Sequence, residues 1–341
     1  MRSSRSIGTN FRIYDSGFRI ANCKLQTDLI SFLRLIRWLN LLYIALTQYL
    51  VQYTVVKPIL AQAGMSTTLD DLHFFLLVLS TMFVAAAGYV INDYFDVKMD
   101  EVNKPQRIFI DRTIHHRTAI LLHQFLTGAG VLLAFYVAWK AGNLKLGFIH
   151  VIVAGFLWFY STGYKRRVLI GNIIVAFLSG LVILIVGLYE KHLFEPANIA
   201  VVHAAYSIFI ILFFYFMFAF LLSFARELSK DMEDMEGDRL YGCRTIPIVI
   251  GVQRTKWIVY ALLVSVLSLM SYIQALQFNG RDFISVYTIF TTLEFPMLIT
   301  FYLLYQSKGS KDFSLVSSMI KIVMFMGILS MLYFYFLTNR H

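Results

Sequence analysis

The chain has 341 residues, of which 58% are hydrophobic and only 15% charged. A soluble domain carries about 25% charged residues, and a soluble chain of this size has no core large enough for that much apolar surface. Disorder, a disulfide scaffold and an ordinary soluble enzyme are excluded, and the net charge of +10 belongs to loops beside a membrane rather than to a nucleic-acid partner.

Residues 1–28 are polar and basic, with Arg2, Arg5, Arg12, Arg19 and Lys24, and show no cleavable signal pattern. They predict a cytoplasmic N-terminal segment, followed from residue 29 by one transmembrane domain. Nine apolar runs follow, at roughly 38–56, 73–92, 119–139, 146–162, 170–189, 200–224, 257–276, 285–305 and 314–337. None alternates with the period of two that a membrane barrel needs. Each is long enough to cross a bilayer as a helix. The predicted fold is all-α, a polytopic membrane protein of about nine transmembrane helices.

Orientation follows from the basic residues. With the N-terminus inside, 23 of the 30 Lys and Arg fall in inside segments and six in outside ones, which predicts a cytoplasmic N-terminus. Cys23 and Cys243 both fall on that side, where thiols stay reduced.

The acids follow a different rule. Eleven of the 20 lie in two stretches, 93–111 and 227–238, at the cytoplasmic ends of the second and sixth runs. Asp93, Asp96 and Asp100 share the spacing D-x-x-D-x-x-x-D with Asp231, Asp234 and Asp238, at a constant offset of 138 residues. Four runs separate the copies, which suggests a parallel repeat of runs one to four and five to eight, with the ninth added.

Spacings of three and four place Asp93, Asp96 and Asp100 on one helical face, with Asn92 beside Asp96. Glu227, Asp231, Asp234 and Asp238 form a longer stripe. Carboxylates stacked this way repel one another and call for a counter-charge. Hard oxygen donors suit Mg²⁺ or Ca²⁺, and Mg²⁺ commonly shares its shell with substrate phosphates. Basic residues surround both motifs: Lys104 and Arg107, then Lys165, Arg166 and Arg167, then Arg226 and Lys230. Acids with bases around them point to a metal-bridged polyanion. A diphosphate at the membrane edge with its tail among the helices, as in an isoprenyl diphosphate, fits this pattern, and aromatic faces can stabilise the allylic cation it leaves.

Plainer readings compete at several positions. Short basic loops also arise from topology alone, and Arg226 and Lys230 could pair with acids on their own helix, Lys230 with Asp234. Glu294 and Lys321 lie inside apolar runs, where charge is costly and either pairs internally or serves a substrate; Pro296 predicts a kink beside Glu294. A transporter is the main rival of another class, and a catalytically silent scaffold a third. Transporters concentrate their ionisable groups near the midplane, whereas these acids gather at helix ends.

The segment NDYFDVKMD, residues 92–100, resembles the first signature of the UbiA superfamily of intramembrane prenyltransferases, and KDMEDMEGDRLYGCRTIPIVIG, residues 230–251, resembles its second. Arg37 and Asn40 match the family's pattern at the start of the first span, and Tyr160, Ser161, Lys165, Gly171 and Asn172 match it between the motifs. The resemblance runs over about residues 30–335. It implies a helical bundle around a central cavity, with Mg²⁺ held by Asp93, Asp96, Asp100, Asp231, Asp234 and Asp238. Among these, Asp93, Asp96, Asp231 and Asp234 are the candidate catalytic residues. Asn92, Lys104, Arg107, Lys165 and Lys230 are candidates for the diphosphate, and Arg37, Asn40 and Tyr160 for other substrate contacts.

The implied partners are an isoprenyl diphosphate, a lipophilic acceptor and membrane lipid, with neither nucleic acid nor a protein partner. The implied location is a plasma (inner) membrane with the active site on the cytoplasmic side. The second motif resembles the digeranylgeranylglyceryl phosphate synthase branch, which makes geranylgeranylglyceryl phosphate the expected acceptor. An aromatic quinone, tocopherol or chlorophyll-type precursor is the alternative. After Asn103 the chain departs from the family's usual Pro-Ser-Gly turn, while Lys104 and Arg107 keep its charges.

Overall fold

The structure, a computed structural model, describes residues 30–103, 105, 110 and 114–338. The N-terminal segment, Cys23, Lys104 and Arg107 lie outside the described residues. Among the described residues nine helices are long and apolar enough to cross a membrane. They are α1 (Trp38–Gln62), α2 (Asp71–Asn103), α3 (His116–Lys140), α4 (Leu144–Thr162), α5 (Ile170–Leu188), α6 (Ile199–Glu233), α7 (Val252–Asn279), α8 (Phe283–Gln306) and α9 (Ser310–Tyr333). Among the described residues there is no strand, only an isolated bridge between Ile110 and Ile114. The protein is an all-α integral membrane protein, as the apolar runs predict.

Two helices overshoot their apolar runs. At ~1.5 Å per residue, α2 with 33 residues and α6 with 35 are ~50 Å long, against ~30 Å of hydrocarbon. The apolar stretch ends near Ile91 and Phe224, but the chain beyond keeps Asp, Val, Lys, Met, Glu and Leu with no glycine or proline to stop it. The helix therefore carries the first aspartate motif outward on a rigid rod.

The second motif differs. α6 ends at Glu233, Asp234 takes φ −97° and ψ 8°, and a short helix Met235–Leu240 begins in a new direction. The single stripe expected from Glu227 to Asp238 is thus broken at Asp234. The cause is local: a helix C-terminus cannot satisfy its last carbonyls within itself, and Met-Glu-Gly-Asp restarts the chain across the end of α2.

α2 packs against α1, α3 and α4; α6 packs against α5, α7 and α9. Small residues let these helices close up. At Gly180 of α5 an added Cβ would lie 2.5 Å from the Phe216 ring of α6. One buried apolar cluster gathers Leu222, Leu228, Leu263, Met297 and Val316 from α6 to α9, and another joins Val51, Leu77, Ile183 and Ile208 from α1, α2, α5 and α6. At the end of the bundle away from the motifs, buried Glu190 accepts from the Thr68 amide at 2.8 Å and from its hydroxyl, joining two loops. Beside Pro296, α8 carries a π-turn over Phe290–Glu294, which accommodates the proline and leaves Glu294 buried.

Candidate active site

The site lies where the motif ends of α1, α2, α5 and α6 meet the loop after α4. On α2, Asp93 accepts from Arg37 Nη2 at 2.6 Å. Arg37 stands just before α1 in the left-handed region, φ 52°, a conformation that costs a non-glycine residue energy and recurs at functional sites. Its guanidinium also lies 4.9 Å from the centre of the Tyr89 ring, one turn from Asp93. Burial alone would lower the pKa of Arg37; Asp93 and Tyr89 outweigh it and hold the group above its ordinary value.

Asp96 is almost fully buried. It accepts from Asn92 Nδ2 at 2.7 Å and from the Lys165 ammonium. Lys165 comes from the single turn Tyr164–Arg166 after α4. Burial opposes its charge, but Asp96, Tyr160 and then Asp100 raise its pKa above the ordinary lysine value. The basic loop is therefore part of the site and more than a topological signal.

The second ladder is held differently. Asp231 accepts from neutral Asn172 Nδ2 of α5 at 2.8 Å. Arg226 and Lys230 both turn to Glu227 on their own helix, at 3.3 Å and 2.9 Å. The competing prediction of self-pairing thus holds in kind, with Glu227 rather than Asp234 as the acid. Asp238 is buried, and its carbonyl accepts from the Cys243 amide at 2.9 Å.

Three features bring the ladders together. Tyr160 lies within electrostatic range of Lys165, Glu227, Asp96 and Asp231, members of both sides. The Gly237 amide donates to Asn103 Oδ1 at 2.9 Å, and a Cβ on Gly237 would sit 2.5 Å from that atom, so only glycine allows the approach. The Arg244 amide donates to the Arg166 carbonyl at 2.9 Å, tying the basic loop to the chain after the second motif. Asp93, Asp96, Asp231, Asn92, Arg37, Lys165 and Tyr160 are thus neighbours. Asp100 stands within reach of Lys165, Asp234 stands at the break, and Asn40 bonds both Tyr89 and, at 3.1 Å, Lys321.

Asn103 and Tyr89 were not among the expected site residues. Asn103, the last residue of α2, lies one turn after Asp100, and Tyr89 lies one turn before Asp93. That turn spacing was the only local signal for either.

The donors present are carboxylate and amide oxygens, with Asn92 Oδ1 buried and lacking a partner. Among the described residues no three His, Cys, Asp or Glu converge at metal-binding distance. Hard oxygens in one or two carboxylates at a time suit Mg²⁺, which completes its shell with phosphate oxygens and water. The set fits a metal that arrives with a diphosphate, because the bases now on Asp93 and Asp96 would then have phosphate oxygens to bind.

Residues 50–329 match the UbiA prenyltransferase family. The chain is 36% identical over 179 residues to the digeranylgeranylglyceryl phosphate synthase of Methanothermobacter thermautotrophicus, covering 52% of this chain and 56% of that protein. It is 28% identical over 247 residues to the same-named protein of Methanosarcina mazei, covering 71% and 79%. Thus the chain spans little more than half the length of the first relative. A solved structure of a digeranylgeranylglyceryl phosphate synthase shares the fold at TM-score 0.61 and 24% identity, over 91% of this chain and 99% of that one. A UbiA homologue from Aeropyrum pernix, at TM-score 0.58 and 15% identity, covers 88% and 98%. The Archaeoglobus fulgidus homologue bound to GPP and Mg²⁺, at 0.52 and 16%, covers 88% and 99%. With two aspartate ladders meeting at one end of a nine-helix bundle and a family match over most of its length, the chain belongs to the UbiA prenyltransferase family.

Proposed function

We propose that this protein transfers an isoprenyl group from an isoprenyl diphosphate to a lipophilic acceptor, with geranylgeranylglyceryl phosphate as that acceptor. The observation that carries the reading is the meeting of the two ladders around Lys165 and Tyr160. The names of the relatives and the GPP and Mg²⁺ bound by the Archaeoglobus homologue support it. The site faces the cytoplasm of a plasma membrane, in keeping with the basic loops on the motif side.

Asp93, Asp96 and Asp231, joined by Asp100, Asp234 and Asp238, would hold Mg²⁺. When bound, the metal would neutralise the diphosphate and make it a better leaving group. Lys165 and Arg37 exchange their carboxylates for phosphate oxygens and keep the diphosphate at the mouth of the bundle. The bond from the first prenyl carbon to the diphosphate oxygen breaks, and both electrons leave with the diphosphate. The Tyr160 ring, within range of both ladders, would offer its face to the allylic cation. The acceptor's hydroxyl oxygen forms the new ether bond, and its proton passes to the departing diphosphate. Lys230 spends two of its three donors on Glu227 and has one left for a phosphate oxygen.

Purified protein given labelled geranylgeranyl diphosphate, Mg²⁺ and each acceptor class tests this. The expected product is an ether of geranylgeranylglyceryl phosphate. A ring-prenylated aromatic product in its place would reassign the acceptor, and turnover unaffected by EDTA would remove the metal.

A further inference from the structure

Beside the aspartates lies a group of cations that the diphosphate site does not use up. Lys321 stands eleven residues into α9, ~16 Å along the helix from Ser310. Its ammonium donates to Asn40 Oδ1 at 3.1 Å and lies 5.1 Å from the centre of the Tyr43 ring. Both partners are neutral. Among the described residues no carboxylate forms an ion pair with Lys321. The charges that act on it are Arg226 and Arg37, both of its own sign.

Arg226 is equally short of partners. One of its nitrogens reaches Glu227 at 3.3 Å, while its Nε is buried with none. Glu227 is already held by Lys230 at 2.9 and 3.0 Å, and Asp93 by Arg37. Arg37 also feels Asp96, and Lys230 lies in range of Asp231, so among the described residues Lys321 is the cation of this cluster that no carboxylate offsets. A charge at such depth is expensive, and neighbours of the same sign add to the cost. A cluster like this is stable in a working protein when an anion joins it.

The position specifies the anion. Arg37 links the cluster to Asp93, so a ligand there lies beside the diphosphate. In a glycerol phosphate lipid the phosphate and the free hydroxyl sit on adjacent carbons. If that hydroxyl attacks the prenyl carbon, the phosphate must come to rest a few ångströms away. A compact dianion with several acceptor oxygens matches Lys321 Nζ and Arg226 Nε as donors, with Asn40, bonded to Tyr89 and Lys321, holding the ammonium in place.

Resting on the prenyl-transfer reading, we infer that Lys321, Arg226 and Asn40 form a second phosphate pocket that binds the phosphate monoester of the acceptor lipid. The pocket selects a glycerol phosphate ether over an acceptor without an anionic head. It also gives Lys321, the lone ammonium deep in α9, a task.

The test separates binding from turnover. Equilibrium binding of geranylgeranylglyceryl phosphate and of geranylgeranylglycerol is measured without a prenyl donor, alongside steady-state kinetics. The intact protein is expected to bind the phosphorylated lipid at least about tenfold more tightly. Lys321→Met, which removes an uncompensated charge while keeping the chain length, is expected to erase most of that preference. It should raise KM for the phosphorylated acceptor about tenfold or more and leave KM for geranylgeranyl diphosphate within about twofold. Lys321→Arg, which retains the charge, should keep the preference.

Equal binding of the two lipids by the intact protein, or an unchanged preference in Lys321→Met, would overturn the pocket even if prenyl transfer proceeds. A phosphate preference that Lys321→Met abolishes, in a protein that transfers no prenyl group, would uphold the pocket and sink the prenyl-transfer reading instead.

Discussion

The two aspartate motifs have the same spacing but different surroundings. Asp93 and Asp96 are neutralised from outside their helix, by Arg37 and by Lys165. Among the described residues Asp231 takes its hydrogen bond from the neutral amide of Asn172, with Lys230 in electrostatic range but paired, like Arg226, to Glu227. The first ladder rides an unbroken helix; the second is split at Asp234. Asp93 and Asp96 are therefore neutralised before any ligand arrives, and Asp231 is where added positive charge gains most.

Removing charge from either ladder should have the largest effect. Asp93→Asn and Asp231→Asn are each expected to lower kcat about 10³-fold, the order seen for losing a transition-state charge contact, with circular dichroism unchanged. Chelation of Mg²⁺ should do the same and be reversed by readdition. If Asp231→Asn were nearly silent while Asp93→Asn was inactive, the ladders would not act together.

Lys165→Met is expected next, at about 10²-fold in kcat/KM for the diphosphate donor. It also leaves Asp96 buried without its cation, so its thermal inactivation temperature should fall. Adding Asp96→Asn should recover part of that loss, because removing both partners costs less than removing one. An additive double variant would show that the two side chains do not interact.

Asn103→Ala removes the bond that ties the second motif to α2. A loss of about 1 kcal/mol should appear as a few-fold higher Mg²⁺ requirement. Gly237→Ala should produce the same direction of change through the clash with Asn103.

Two smaller effects concern titration. Burial, with Asp238 nearby, pushes the Cys243 thiol above its ordinary value, so at pH 7 it stays protonated. Peptide mapping after maleimide treatment should find Cys243 unlabelled in the native protein and labelled after denaturation. Lys165, raised in the folded state, contributes its ion pair fully below the ordinary lysine value and loses it only as pH rises through the higher folded value. The pH–rate profile from 6 to 9 should therefore contain no limb that Lys165→Arg removes.

Much of this arrangement is legible in the chain. The length and unbroken apolarity of the nine runs give the helices, and the spacing of Asp93, Asp96 and Asp100 gives their common face. What the sequence hides is partner choice. Lys230 can reach Glu227 or Asp234 by spacing alone; the break at Asp234 decides, and that break is a matter of backbone direction. Asn40 and Lys321 are 281 positions apart and belong to no local pattern, so only packing of α1 against α9 reveals the pair. Asn103 meets Gly237 for the same reason: two helix ends cross at a point that neither motif describes.

The overshoot of α2 and α6 beyond the hydrocarbon layer has a consequence for traffic. It sets the reacting atoms at the boundary between two phases, so each participant can come and go through its own solvent. In the proposed reaction, magnesium and spent pyrophosphate would drain into the aqueous side, while both greasy reactants and the joined lipid would travel sideways in the bilayer. The doubly alkylated product of that reaction, insoluble in water, would never have to leave oil.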